Sequence, residues 1–177
     1  MNEWNGFRVV ESAQKKTVEN SSEEVVQEST DTKLVGVLKK LLAETYVLYH
    51  TIHGFHWNVK GSDFYEYHKL FDEIVSDVYD SLDPIAENIV KLGDVAPFVM
   101  SQLAGMSSIE ETGLVSKESQ ELTSKFREMN LKYIDNLKST FNVANKENEQ
   151  GIANFIAERI DQHQKWDWFL KASLGEQ

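Results

Sequence analysis

The sequence predicts an all-α protein: a bundle of four long helices in which one long connection crosses the bundle. Three observations lead there. Apolar residues recur at helical spacing over long stretches, as in Leu34, Leu38, Leu41, Leu48, Ile52 and Phe55. The chain has only 2 prolines and few alternating β-branched runs of the kind that form strands. Its 177 residues, 41% hydrophobic, amount to one domain with enough apolar surface for a substantial core.

Composition excludes several chemistries. There is no cysteine, so disulfides and thiolate metal sites are ruled out. No run approaches the ~18 apolar residues of a membrane span, and the N-terminus lacks a basic region followed by an apolar one. The expectation is a cytoplasmic protein without a membrane partner. The net charge of −11 disfavours non-specific binding to DNA, whose affinity comes from Lys and Arg releasing counterions. It suits the attraction of cations.

Residues 1–32 read as a polar, acidic tail, rich in Ser and Glu and without a sustained helical period. Trp4, Phe7, Val9 and Val10 form a short apolar cluster within it. Its simplest placement is against the protein's own surface; the alternative is a docking peptide for a partner. The bundle occupies 33–177. Its first helix starts after Thr30 or Asp31, either a good N-cap, and runs to about Val59. Lys60-Gly61-Ser62 is the turn, and Asp63 with Glu66 has capping-box spacing. The second helix continues to about Leu92, where Gly93 stops it. Pro84 removes one hydrogen bond, to the carbonyl of Asp80, and kinks this helix; that kink either aims the neighbouring Asp83 or displaces it. The connection 94–115 carries capping-box spacing at Ser107–Glu111, so a short helix is expected there. The third helix spans about Ser116–Asn145. After a break at 148–151 the fourth runs to about Leu174, and His163 within it reads as structural or exposed.

One spacing points to chemistry. His68 and Asp72 are four apart, as are Asp83 and Glu87, so each pair shares a helical face. Eleven positions separate Asp72 from Asp83, about three turns with ~20° of drift, so a continuous helix would carry all four on one stripe. They lie too far apart to hold one ion. Two copies packed antiparallel about a two-fold axis near Asp77 and Val78 would set His68 against Glu87 and Asp72 against Asp83, twice per dimer. Imidazole nitrogens and carboxylate oxygens suit iron, manganese or zinc. The competing interpretation is a solvated face, the ordinary role of an acidic i,i+4 pair in a chain that is 27% charged.

The same stretch resembles the Dps family (DNA-binding protein from starved cells), the mini-ferritins. The resemblance is carried by His56-Trp57-Asn58, the Gly61 turn, His68 with Asp72, Asp83 with Glu87, and the Leu92-Gly93 helix end, and extends over about residues 33–174. It implies a ferritin-like four-helix bundle with a short extra helix between helices two and three. Twelve subunits, built from two-fold dimers, would form a hollow shell. His56, His68 and Asp72 of one subunit would bind iron with Asp83 and Glu87 of its two-fold partner, as a mono- or di-iron ferroxidase site. Fe²⁺ would be oxidised, with hydrogen peroxide the usual oxidant of the family, and ferric iron stored inside. Trp57 would border the site and confine oxidants. Glu147 and Glu149 would lie near pores through which iron enters; an acidic helix start favoured by the macrodipole is the plainer account. His50 and His53 match no family motif and are expected as polar interface or surface residues.

The chain departs from the pattern in its tail. Seven acidic residues face three basic ones there, where DNA-binding members carry a Lys-rich arm, so DNA binding by that route is not expected. Glu-x-x-His, the motif of intrasubunit di-iron bundles, is absent from the sequence. Two other functions compete: a DNA-compacting structural protein with weak or no ferroxidase activity, and a shell whose sites hold zinc or manganese.

Overall fold

The computed structural model describes residues 32–114 and 116–176. The expectations for the tail, including the Trp4–Val10 cluster, fall outside them. Six helices are present among the described residues: α1 (Lys33–Asn58), α2 (Phe64–Asp80), α3 (Leu82–Lys91), α4 (Met100–Met106), α5 (Ser119–Lys146) and α6 (Gln150–Ser173). The long bundle positions are α1, the α2–α3 pair, α5 and α6; α4 lies in the crossover and packs on α1. The expected ferritin-like four-helix bundle is therefore present.

The core follows the predicted stripes. All six apolar stripe residues of α1 are buried, and Leu122, Phe126, Met129, Tyr133 and Leu137 of α5 close against them. Each fully buried Leu or Phe contributes roughly 1.5–3 kcal/mol of apolar transfer. Thr45 tolerates burial because its hydroxyl donates to the Leu41 carbonyl (2.8 Å) and lies 2.7 Å from the Tyr133 hydroxyl. Helix ends are set by local chemistry. Thr32, one residue later than expected, caps α1 by accepting from Val35 N–H. Gly93 stops α3 at φ 86°, with Gly93 N–H on the Val90 carbonyl and Asp94 N–H on that of Ile89, a Schellman pair. Asn148 (φ 61°) ends α5 in the same way.

Three expectations are corrected. The second long helix is not continuous: it breaks at Ser81, three residues before the proline. Ser81 turns its N–H and its hydroxyl onto the Val78 carbonyl (3.2 and 2.7 Å), which closes α2. Pro84 then falls in the first turn of α3, where backbone N–H groups have no intrahelical acceptor and proline costs little. His68 and Asp72 are thus on α2 and Asp83 and Glu87 on α3, rather than on one stripe of one helix. The crossover helix lies at Met100–Met106, upstream of Ser107–Glu111; there the Ser107 hydroxyl donates to the Ile109 carbonyl (2.7 Å), a local turn that competes with a helix. Asp63 makes no cap bond to α2; its Oδ2 accepts from the Ser119 hydroxyl at 2.8 Å instead.

Candidate functional site

The α1–α2 turn brings two histidines together. Gly61 has φ 130°, and a Cβ there would meet Asp63 Oδ1 at 2.9 Å, so the position requires glycine. Lys60 N–H donates to the Lys117 carbonyl at 2.9 Å. Together with the Asp63–Ser119 bond, this ties the turn to the start of α5. The last turn of α1 then lies against the start of α2.

His56 and His68 bind each other's backbone. His56 Nδ1 lies 3.1 Å from the His68 carbonyl and His68 Nδ1 lies 2.9 Å from the His56 carbonyl. A carbonyl only accepts, so both Nδ1 atoms carry the proton, and in the neutral rings both Nε2 lone pairs remain free. The rings stack with centroids 3.9 Å apart and 22° between planes. Holding one ring nitrogen on a carbonyl orients the other toward a ligand. Asp72, one turn beyond His68, has Oδ1 3.8 Å from His56 Nε2, with 54% of its side chain exposed. The structure therefore places His56, His68 and Asp72 as neighbours.

Asp83 and Glu87 stand apart on α3, both exposed. Asp83 lines a surface cavity of about 640 Å³ with Tyr46, Tyr79, Asp80 and Pro84. Glu87 lies 4.0 Å from Lys91, with both side chains more than half exposed, a pair of little energetic consequence. Among the described residues no three or more His, Asp or Glu side chains of one chain are close enough to hold a metal ion.

Two further groups were not singled out by spacing. His53 faces Trp57 with ring centroids 4.1 Å apart and lies 6.0 Å from the His56 ring. Burial and the neighbouring His56 and His50 hold its pKa below the usual imidazole value, against the pull of Asp72. Its i−3 relation to His56 was the visible signal. The second group is internal. Asp77 takes a two-pronged ion pair from Arg159 (2.8 and 2.7 Å) and the Trp166 indole N–H (2.8 Å). Burial opposes its ionisation, but those partners outweigh it and hold the carboxyl below its ordinary value. His163, fully buried, donates from Nδ1 to Asn130 Oδ1 (2.6 Å) and accepts Arg159 Nη2–H at Nε2 (3.2 Å). It is structural, as one of the two expectations had it. Glu147 accepts the Leu34 N–H of α1 at 3.1 Å.

A ferritin-like domain model matches residues 36–177. The DNA protection during starvation protein of Helicobacter pylori is 32% identical over 144 residues, 81% of this chain and 99% of that one. The chain belongs to the Dps family of ferritin-like proteins. A second Dps relative, DNA protection during starvation protein 2 of Bacillus anthracis, is 29% identical over 81% of this chain and 98% of its own. The crystal structure of the Vibrio cholerae Dps protein, described as a member of the ferritin-like diiron-carboxylate superfamily, superposes with a TM-score of 0.77 at 26% identity. It covers 80% of this chain and 89% of that one. No described helix of this Dps-family chain is long and apolar enough to cross a membrane.

Proposed function

We propose that this protein is an iron-sequestering mini-ferritin that oxidises Fe²⁺, with hydrogen peroxide as oxidant, at sites shared between two subunits. The observation that carries this reading is the reciprocal His56–His68 arrangement. Two imidazoles have their Nδ1 protons fixed on backbone carbonyls and their Nε2 lone pairs free beside Asp72. Ferrous iron, the substrate, would take these as one half of its donor set. Asp83 and Glu87, exposed on α3, would supply the other half from a two-fold partner in a dodecameric shell, with ferric iron stored inside it. The carboxylates would stabilise the charge that rises as Fe²⁺ becomes Fe³⁺, while the fixed imidazoles hold the geometry. Membership of the Dps family supports this reading.

The test is peroxide-driven Fe²⁺ oxidation by the assembled protein. His68→Ala and Asp83→Ala should each slow it at unchanged particle mass. Wild-type rates in both variants would contradict the reading.

A further inference from the structure

A groove of about 410 Å³ runs between the start of α2 and the end of α6, lined by Tyr67, Leu70, Trp168, Phe169 and Ala172 with the exposed Glu66. That volume falls within the roughly 300–1,000 Å³ of small-molecule sites. The groove lies on the side of α2 away from the candidate metal ligands. Leu70 is two residues from both His68 and Asp72, a rotation of about 200° each way. Pairing two copies through His68 and Asp72 therefore leaves the groove open. At one end the Tyr67 hydroxyl donates to the Ser173 carbonyl at 2.9 Å, which holds the start of α2 against the end of α6.

The walls are aromatic and partly wet. Leu70 and Phe169 pack against the core on their inner sides, and the Phe169 ring lies 5.0 Å from that of Trp168. Trp168 keeps 64% of its surface exposed. In the register that sets His68 against Glu87, the exposed Tyr65 would meet Val90 of a second copy. That pairing runs along α2 and α3 and gives Trp168 of α6 no cover.

Lys165 supplies the charge. It stands one turn before Phe169, with Nζ 5.6 Å from the Phe169 ring and 5.7 Å from that of Trp166. Among the described residues no carboxylate pairs with it. In a chain of net charge −11, an unpaired ammonium beside apolar walls suits an anionic head on an apolar body. Glu66 gives the groove a direction. The Tyr67–Ser173 bond puts it near the Ala172 end, and Ala172 is seven residues, or about 10 Å, from Lys165 along α6. Repulsion from Glu66 places an anionic head at Lys165 and its chain toward Ala172.

We propose that this groove binds a free alkyl monocarboxylate of medium chain length, its carboxylate on Lys165 and its chain laid over Leu70, Phe169 and Trp168. The site is separate from the ferroxidase reading and stands or falls without it.

Calorimetric titration of the assembled protein with sodium decanoate, kept below the concentration at which it forms micelles, tests the assignment. One site per subunit is expected. Lys165→Gln should weaken binding about tenfold, and Lys165→Arg should retain it. Ala172→Phe, which fills the groove, should abolish it. All three should keep the particle mass and urea midpoint of the wild type. Decyltrimethylammonium, the same chain length with a cationic head, should bind at least about tenfold more weakly than decanoate. Equal affinity for the two heads, undiminished binding by Ala172→Phe, or no saturable binding below micelle formation would overturn the proposal. So would a protein that ignores decanoate but floats with phosphatidylglycerol vesicles, since the groove would then be a membrane contact.

Discussion

Two residues show how small features fix the candidate site. His56 and His68 exchange Nδ1–H···O=C bonds of 3.1 and 2.9 Å, so each ring's tautomer is set by the other's backbone rather than by a carboxylate. That requires α1 and α2 to meet closely, which in turn requires Gly61. Gly61→Ala should destabilise the fold by about 1–3 kcal/mol, since φ 130° is costly for any side chain. Chemical denaturation would measure it; a loss near zero would show that the turn relaxes freely. The sequence announced His68 with Asp72 and Asp83 with Glu87 through i,i+4 spacing alone. It could not announce the carbonyl bonds, which depend on how closely two helices approach. His56 was reached only by resemblance, since the i,i+3 run His50-His53-His56 does not single it out.

At the level of elements, core stripes were the most legible part of the chain. Every apolar position of the α1 stripe is buried, because helical period and burial are one constraint seen twice. The second long helix was expected to kink because Pro84 leaves the Asp80 carbonyl without its helical partner; it gives way beside that carbonyl, at Ser81, whose hydroxyl competes for the Val78 carbonyl. The Asp77–Arg159–His163 network was illegible, since its partners lie 82 residues apart on different helices. That network predicts a pH dependence. Burial, with Arg159 beside it, lowers the His163 pKa to about 3. Between that value and the ordinary ~6.5 the unfolded chain binds a proton that the folded one refuses, so stability declines as pH falls through this window. Asp77, held below its ordinary value, adds a loss only at more acid pH, below about 4. The urea midpoint should drop from about pH 7 to pH 5, and His163→Gln should remove most of that drop. A midpoint flat over this range would contradict the assignment.

For the whole molecule, net charge and symmetry decide what can be expected. A chain of net charge −11 offers phosphate few cations. A gel shift at low salt should show free DNA, whereas a retarded band that collapses at ~200 mM salt would reveal a phosphate-binding surface. The separation of the two candidate half-sites onto α2 and α3 has a consequence that only a mixed assembly exposes. His68→Ala and Asp83→Ala damage opposite halves. In a mixed dimer one site loses both residues and the other keeps all of its donors. Co-assembling the two variants in equal amounts should therefore restore about a quarter of wild-type sites, because half of random dimers are mixed and each has one intact site.

That complementation is the most direct measurement of a site shared between subunits. The mixture should oxidise Fe²⁺ with peroxide at about a quarter of the wild-type rate while each variant alone is slow. A mixture no faster than the separate variants would contradict it.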